Sequence, residues 1–306
     1  MAFWDGYWKS LKPLSVEEPI DVWVHRPLAY LLARAALPTP ISPNLITLFS
    51  IVLGLFAAYC MFETFPWHLQ LAGLALFCSA VFDCADGQLA RLRGSSSPFG
   101  RMLDGVADLI VSIATVAGGT YVVWHSFREP WWHGAIALLM CVATIVTGST
   151  HTTTYDHYKN LFLRMTHATF REGEDYESAL ERYRTRRGSG SWVERGAWPI
   201  YIFYMRQQTE FIRAFDPNTQ LNFGKLPPYA AESAAVYSQH CEPLMRHWRR
   251  WFGFGSLVFG ISISLTFEGV HYYMLLRLLM LNGFFYGYMR PAQRVASRAA
   301  FRALGL

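Results

Sequence analysis

The chain has 306 residues, 52% of them hydrophobic, 16% aromatic and only 16% charged, with a formal net charge of +5. That length would hold two soluble domains, but the apolar residues gather into long runs, which argues against that organisation. The basic balance would suit nucleic acid on other chains; here it borders the apolar runs, which points to anionic headgroups and to no nucleic-acid partner.

Taken in order, residues 1–12 are polar and aromatic with no apolar core, so no cleavable signal peptide is expected. Residues 17–38 have helical periodicity: Ile20, Val22, Trp23, Leu28, Leu31 and Leu32 alternate with Asp21, His25, Arg26 and Arg34. The stretch is too charged to span a bilayer and reads as an amphipathic helix in the interface plane, kinked at Pro27. Six spans are expected, at roughly residues 44–62, 67–85, 103–124, 132–154, 250–268 and 271–289, each near the ~20 residues that cross a bilayer. Ser42 caps the first and Pro43 suits its opening turn. Asn44 and Thr47 share a face of that span with Ser50, Gly54 and Ala58, a pattern open to helix packing or to a binding surface.

The third span carries Ser112, Ala114, Ala117, Gly118 and Gly119, which allow close helix approach within a bundle or between two copies. The fourth ends in His151, Thr152, Tyr155, Asp156, His157 and Lys159, either a polar ligand surface or a helix end emerging into water. Residues 156–248 read as a cytoplasmic insertion against the membrane, with a charged helix over 173–187 and an amphipathic one over Trp192–Phe215. Arg277 lies inside the sixth span, where a charge is expensive and a functional role is the default expectation.

Lys and Arg gather in alternate loops and at both ends: Lys9, Lys12, Arg91, Arg93, Arg101, the Arg182–Arg187 run, and Arg290, Arg294, Arg298 and Arg302. The opposite loops hold Arg128 alone. This is the positive-inside pattern of an even number of spans with both termini cytoplasmic. The expected architecture is therefore all-α and integral to the membrane, a six-transmembrane-helix bundle in four segments. Residues 1–41 are an N-terminal arm with the interfacial helix, and residues 42–155 hold helices 1–4. Residues 156–248 are the insertion between helices 4 and 5, and residues 249–306 hold helices 5 and 6 with a basic tail. The five cysteines, Cys60, Cys78, Cys84, Cys141 and Cys241, form no C-x-x-C pair and are expected as free thiols.

The chemistry concentrates between the second and third spans, in DCADGQLARLRGSSSPFGRMLDGVAD, residues 83–108. Asp83 and Asp86 are three apart at the end of one helix; Asp104 and Asp108 are four apart at the start of the next. Each pair shares a helix face. The Ser/Gly turn with Pro98 lets the pairs face each other. Four carboxylates that close repel unless a cation intervenes, and an all-oxygen set suits Mg²⁺ or Mn²⁺ first and Ca²⁺ next.

The stretch resembles the signature of the CDP-alcohol phosphotransferases: D-x-x-D-G, two residues, A-R, eight residues, G, three residues, D, three residues, D. Every fixed position is met, by Asp83, Asp86, Gly87, Ala90, Arg91, Gly100, Asp104 and Asp108. The resemblance implies a metal-dependent enzyme: Asp83, Asp86 and Asp104 hold two divalent ions, and Asp108 completes the site and takes the acceptor's proton. It further implies a nucleotide site at Asn44, Thr47, Gly87, Ala90, Arg91 and Gly100, and a homodimer. Arg101, His151, Tyr155, His157 and Lys159 are candidates for the acceptor. The implied reaction passes a phosphatidyl group from a CDP-linked lipid donor, CDP-diacylglycerol, to a small polar alcohol of the inositol phosphate, glycerol phosphate or serine type, releasing CMP. The alternative within the family moves a choline or ethanolamine headgroup from its CDP ester to a lipid alcohol. Leu109 follows the last Asp where several subfamilies carry Lys or Arg, which leaves the acceptor open. An ion-coupled transporter would instead need midplane sites and repeats, and an inactive scaffold would have no need of four acids.

Overall fold

The computed structural model describes residues 3–95, 98–168, 176–186 and 192–306, and the side chains of residues 98–104 lie outside what it describes. No strand occurs among the described residues. The chain divides into two compact units, residues 1–149 with 249–281, and residues 150–248 with 282–306.

In the first unit, α1 (Phe3–Lys9) is followed by a π turn (Asp21–His25) that runs into α2 (Arg26–Ala36). Pro27 stands in the first turn of α2, where its missing N–H is tolerated, and the wider π turn directly precedes it. The faces of this stretch divide sharply. Glu17, Glu18, His25 and Arg26 are buried, while Trp23, Leu28 and Leu31 are exposed. The polar side therefore faces protein and the apolar side faces outward, as befits a helix whose surroundings include lipid.

Helix α3 (Pro43–Phe62) begins as its sequence requires: Ser42 is extended and its Oγ accepts from Leu45 N–H at 3.2 Å, with Pro43 next in the first turn. Helix α4 (His68–Arg93) closes on Gly94, at φ +62°, whose left-handed backbone lets its N–H and that of Ser95 reach the carbonyls of Arg91 and Ala90. Helix α5 (Pro98–Phe127) returns against α3. A β-carbon added at Gly54 would sit 2.6 Å from both methyls of Val111, so the absence of a side chain sets that spacing. Gly118 likewise meets Met61, which assigns this glycine of the third span to packing inside the bundle, whereas Gly119 has no neighbour within 4 Å.

Helix α6 (Trp131–Thr166) has 36 residues, roughly 54 Å at 1.5 Å per residue, longer than a ~30 Å hydrocarbon core. Its C-terminal part belongs to the second unit, where α7 (Tyr176–Arg186), α8 (Trp192–Phe215), α9 (Pro217–Asn222) and α10 (Ala231–Trp251) follow. Two breaking residues, Phe252 and Gly253, separate α10 from α11 (Phe254–Thr266). The last helical run comprises α12 (Val270–Leu276), a π turn (Arg277–Leu281), α13 (Asn282–Phe284), a second π turn (Phe285–Met289) and α14 (Arg290–Ala303).

Among the described residues four helices are long and apolar enough to cross a membrane: Pro43–Phe62, His68–Arg93, Gly105–Phe127 and Trp131–Thr166. The first four expected spans lie on these. In the region expected to supply the fifth, α11 has 13 residues, roughly 20 Å, short of that core. In the region expected to supply the sixth, π turns divide the helix. Helix α11 packs on α4 closely enough that a β-carbon at Gly73 would meet Ser262 O at 2.5 Å.

The second unit is built around aromatic side chains. Trp248 is fully buried, with Tyr158 at 5.3 Å and Phe285 at 5.8 Å between ring centroids. Buried Asp216 accepts from Tyr158 Oη at 3.2 Å and Thr219 Oγ1 at 2.6 Å, and Trp248 Nε1 donates to Gln293 at 2.8 Å. Arg294 donates to the carbonyls of Phe215 at 2.6 Å and Ala214 at 2.8 Å, satisfying the end of α8. Two residues of the basic tail, Arg290 and Arg294, thus serve a helix terminus in this unit.

Candidate active site

Three carboxylates of the motif, Asp83, Asp86 and Asp108, line a cavity of about 200 Å³ in the first unit, with Gly87 and Arg91 among its other residues. Helix α4 delivers Asp83 and Asp86 one turn apart, and α5 brings Asp108 to the same space. Gly94 caps the end of α4. Asp86 is only 6% exposed, and the hydroxyl of buried Thr47 on α3 donates to its carboxylate. That bond fixes one of the carboxylate's orientations. Ser50 and Ser79 also line the cavity, Ser79 Oγ donating to Ser50 O at 2.7 Å. Arg91 Nε is tied to Ser10 O at 2.6 Å, and its fork lies beside Gly87, where an added β-carbon would sit 3.4 Å from Nη1.

Among the described residues no three Asp, Glu, His or Cys side chains converge tightly enough to be an ion site by themselves. Asp104, on the first turns of α5, lies outside the described side chains, as do the positions of Gly100 and Arg101. The donor chemistry fits a hard divalent ion: three carboxylates line one cavity, and one of them is oriented by a hydroxyl. All five cysteines are unpaired, as expected; Cys84, beside Asp83, also lines this cavity.

The other expected residues have separate places. Asn44 is half-buried in the first turn of α3, and Ala90 is half-buried on α4; neither lines the cavity. His151, Tyr155, His157 and Lys159 are in the second unit. The His151 ring lies 4.5 Å from Phe285, His157 lies 5.5 Å from Phe223, and Lys159 pairs with Asp156 over the Tyr155 ring. Arg277 is buried in its π turn, with Nη1 3.3 Å from Tyr273 Oη on the preceding helical turn.

The N-terminal arm supplies cavity residues that the motif leaves out. Lys12, Glu18, Asp21, His25 and Arg26 line the same space as Asp83, Asp86 and Asp108. Glu18 closes this wall onto α11: it accepts from Gly255 N at 3.1 Å and from Ser256 N and Oγ at 2.8 and 2.9 Å. Gly253 and Gly255 make room, since a β-carbon at either would fall about 2 Å from Glu18 or Asp21. Burial, with the nearby Asp21 charge, pushes the Glu18 carboxyl up to about 7 against the Ser256 and Gly255 bonds. Arg26 pairs with Glu17 at 3.0 Å and His25 with Asp21 at 2.8 Å. The signal available in the sequence was a set of charges at helical spacing on a stretch otherwise apolar.

A family model, CDP-alcohol phosphatidyltransferase, matches residues 40–164. That stretch of the chain is similar to the family. A phosphatidylinositol phosphate synthase of Mycobacteroides abscessus is 34% identical over 113 residues, covering 37% of this chain and 50% of the relative. A CDP-diacylglycerol–glycerol-3-phosphate 3-phosphatidyltransferase of Salmonella choleraesuis is 34% identical over 105 residues, covering 34% and 54%. Cholinephosphotransferase 1 of Gallus gallus is 28% identical over 120 residues, covering 37% and 35%. The chain thus spans about half the length of the bacterial relatives it matches. The CDP-alcohol phosphatidyltransferase region contains α3, α4 and α5 and nearly all of α6, and so contains all four motif carboxylates. With its four apolar helices, the chain is an integral membrane protein.

Proposed function

We propose that this chain transfers a phosphatidyl group from CDP-diacylglycerol to a small polar alcohol, releasing CMP. The observation that carries the reading is the meeting of Asp83, Asp86 and Asp108 in one cavity inside the family-matched region, with Thr47 bonded to Asp86. Asp83, Asp86 and Asp104 would hold Mg²⁺ or Mn²⁺, two ions in all, with Asp108 completing the set. Bound there, the ions supply neutralisation of pyrophosphate charge. Arg91, anchored by Ser10, offers its fork to a phosphate oxygen. Gly87 leaves open the surface beside it, where Ala90, Gly100 and Asn44 are the other nucleotide candidates. Asp108 accepts the proton of the acceptor hydroxyl as that oxygen bonds to phosphorus, and the bond from phosphorus to the CMP oxygen breaks.

By their names, one relative above is a phosphatidylinositol phosphate synthase, one a CDP-diacylglycerol–glycerol-3-phosphate 3-phosphatidyltransferase and one a cholinephosphotransferase, so headgroup transfer to a lipid alcohol is the alternative. The bundle reads as six spans, with α11 and the run from Val270 to Met289 supplying the last two. The arm then lies in the interface, residues 156–248 form a cytoplasmic insertion, both termini are cytoplasmic, and the protein is a homodimer. The test is CMP release by the purified full chain from CDP-diacylglycerol, with glycerol 3-phosphate, inositol 1-phosphate or serine, against CDP-choline with diacylglycerol. Release should require Mg²⁺ or Mn²⁺ and vanish in Asp86→Asn. Near-normal turnover in that variant would refute the carboxylate site.

A further inference from the structure

Part of the cavity wall is made by the N-terminal arm, and one pair of residues on it has the form of a ligand subsite. The π turn Asp21–His25 carries both members, four residues apart. Such turns widen a helix locally and recur at functional positions. His25 is 1% exposed, its ring 5.4 Å from Phe77 and 5.8 Å from Phe259, so its orientation is held by packing. Nδ1 lies 2.8 Å from Asp21 Oδ1. Nδ1 is thereby engaged by the carboxylate, which leaves Nε2 as the ring nitrogen open to a ligand. Nε2 is buried and has no hydrogen-bond partner in the protein, and the same holds for Nε of neighbouring Arg26, itself 9% exposed. Buried polar atoms without partners are rare and call for an explanation. Both residues line the cavity that holds Asp83, Asp86 and Asp108.

We propose that the Asp21–His25 pair is a subsite for the acceptor alcohol, with His25 Nε2 hydrogen-bonded to a hydroxyl of a small polar molecule. The inference rests on the transfer reading above and adds where its second substrate is held. A hydroxyl compound bound at the arm shares one cavity with the carboxylates, so recognition and reaction use the same space. Lys12 and Arg91 line that space too, which favours an alcohol that also bears an anionic group. A long-chain lipid alcohol with a single hydroxyl would leave this polar wall without a partner.

Two substitutions separate recognition from structure. Asn at position 25 can keep an amide where Nδ1 bonds Asp21 but has nothing in the place of Nε2. Gln can carry an amide to the place of Nε2. Acceptor kinetics would be measured by CMP release from CDP-diacylglycerol, using whichever of glycerol 3-phosphate, inositol 1-phosphate or serine the wild-type chain turns over, with CDP affinity measured by titration. His25→Asn should raise the acceptor KM about 10- to 100-fold, the range for loss of one buried hydrogen bond. CDP affinity should stay within about twofold of wild type, and His25→Gln should recover part of the loss. An unchanged acceptor KM in His25→Asn overturns the proposal, and so does a parallel loss of CDP affinity, which would make His25 a structural residue. Turnover only with CDP-choline and diacylglycerol also overturns it. Asp86→Asn keeps the two failures apart: its inactivity beside a normal His25→Asn sinks only the subsite, whereas its activity sinks the transfer site itself.

Discussion

Thr47→Val replaces a hydroxyl by a methyl of nearly the same volume at a position that is 3% exposed. The perturbation removes the bond from Thr47 Oγ1 to the Asp86 carboxylate, along with the same hydroxyl's contact with Pro43 O at 3.2 Å, a carbonyl of the same helix. Hydrogen bonds to charged groups contribute about 1.5–3 kcal/mol, and loss of a partner that orients a metal-ligating group lowers metal affinity or activity about 10- to 100-fold. If Asp86 holds a divalent ion, Thr47→Val should move half-saturation by Mg²⁺ or Mn²⁺ to about 10- to 100-fold higher concentration in the CMP-release assay. Thr47→Ser, which keeps the hydroxyl, should stay near wild type. Wild-type metal dependence and turnover in Thr47→Val would show that the carboxylate needs no such support, and the site as described would be wrong.

Gly54→Val should destabilise the bundle by about 1–3 kcal/mol, the usual range for overpacking, because its β-carbon would overlap the Val111 methyls. Gly119→Ala, where nothing lies within 4 Å, should change stability by less than about 0.5 kcal/mol; thermal unfolding in detergent reads both, and equal effects would contradict the α3–α5 packing. Glu18 gives a pH dependence. Its folded value of about 7 stands above its ordinary 4.5, so the folded state binds the proton more tightly. The stability this confers is complete below about 4.5 and is lost as pH rises through 7, at no more than about 1.4 kcal/mol per pH unit. Glu18→Gln should flatten unfolding stability across pH 5–8, and a profile with the wild-type slope would exclude Glu18 as its source.

The sequence alone determined the membrane class, because runs such as residues 44–62 can be long and apolar for few other reasons. It determined the start of α3, because Ser42 and Pro43 act locally on the first turn. It also determined the pairing of Asp83 with Asp86 on one helix, since spacing along a helix is a local property. The arm's role was not legible in the same way. Alternating charged and apolar residues in 17–38 identify two faces but not what each face meets; only the packed structure turns Glu18 onto the start of α11 and His25 into the cavity. Nor does sequence spacing reveal that Thr47 reaches Asp86, 39 residues away. The basic tail makes the same point: Arg294 reads as a lipid-facing charge until the Phe215 carbonyl is found 2.6 Å from it. Local patterns set helices and their faces, whereas the partner of each buried polar group is chosen by which helices pack together, and that choice is made by the whole chain.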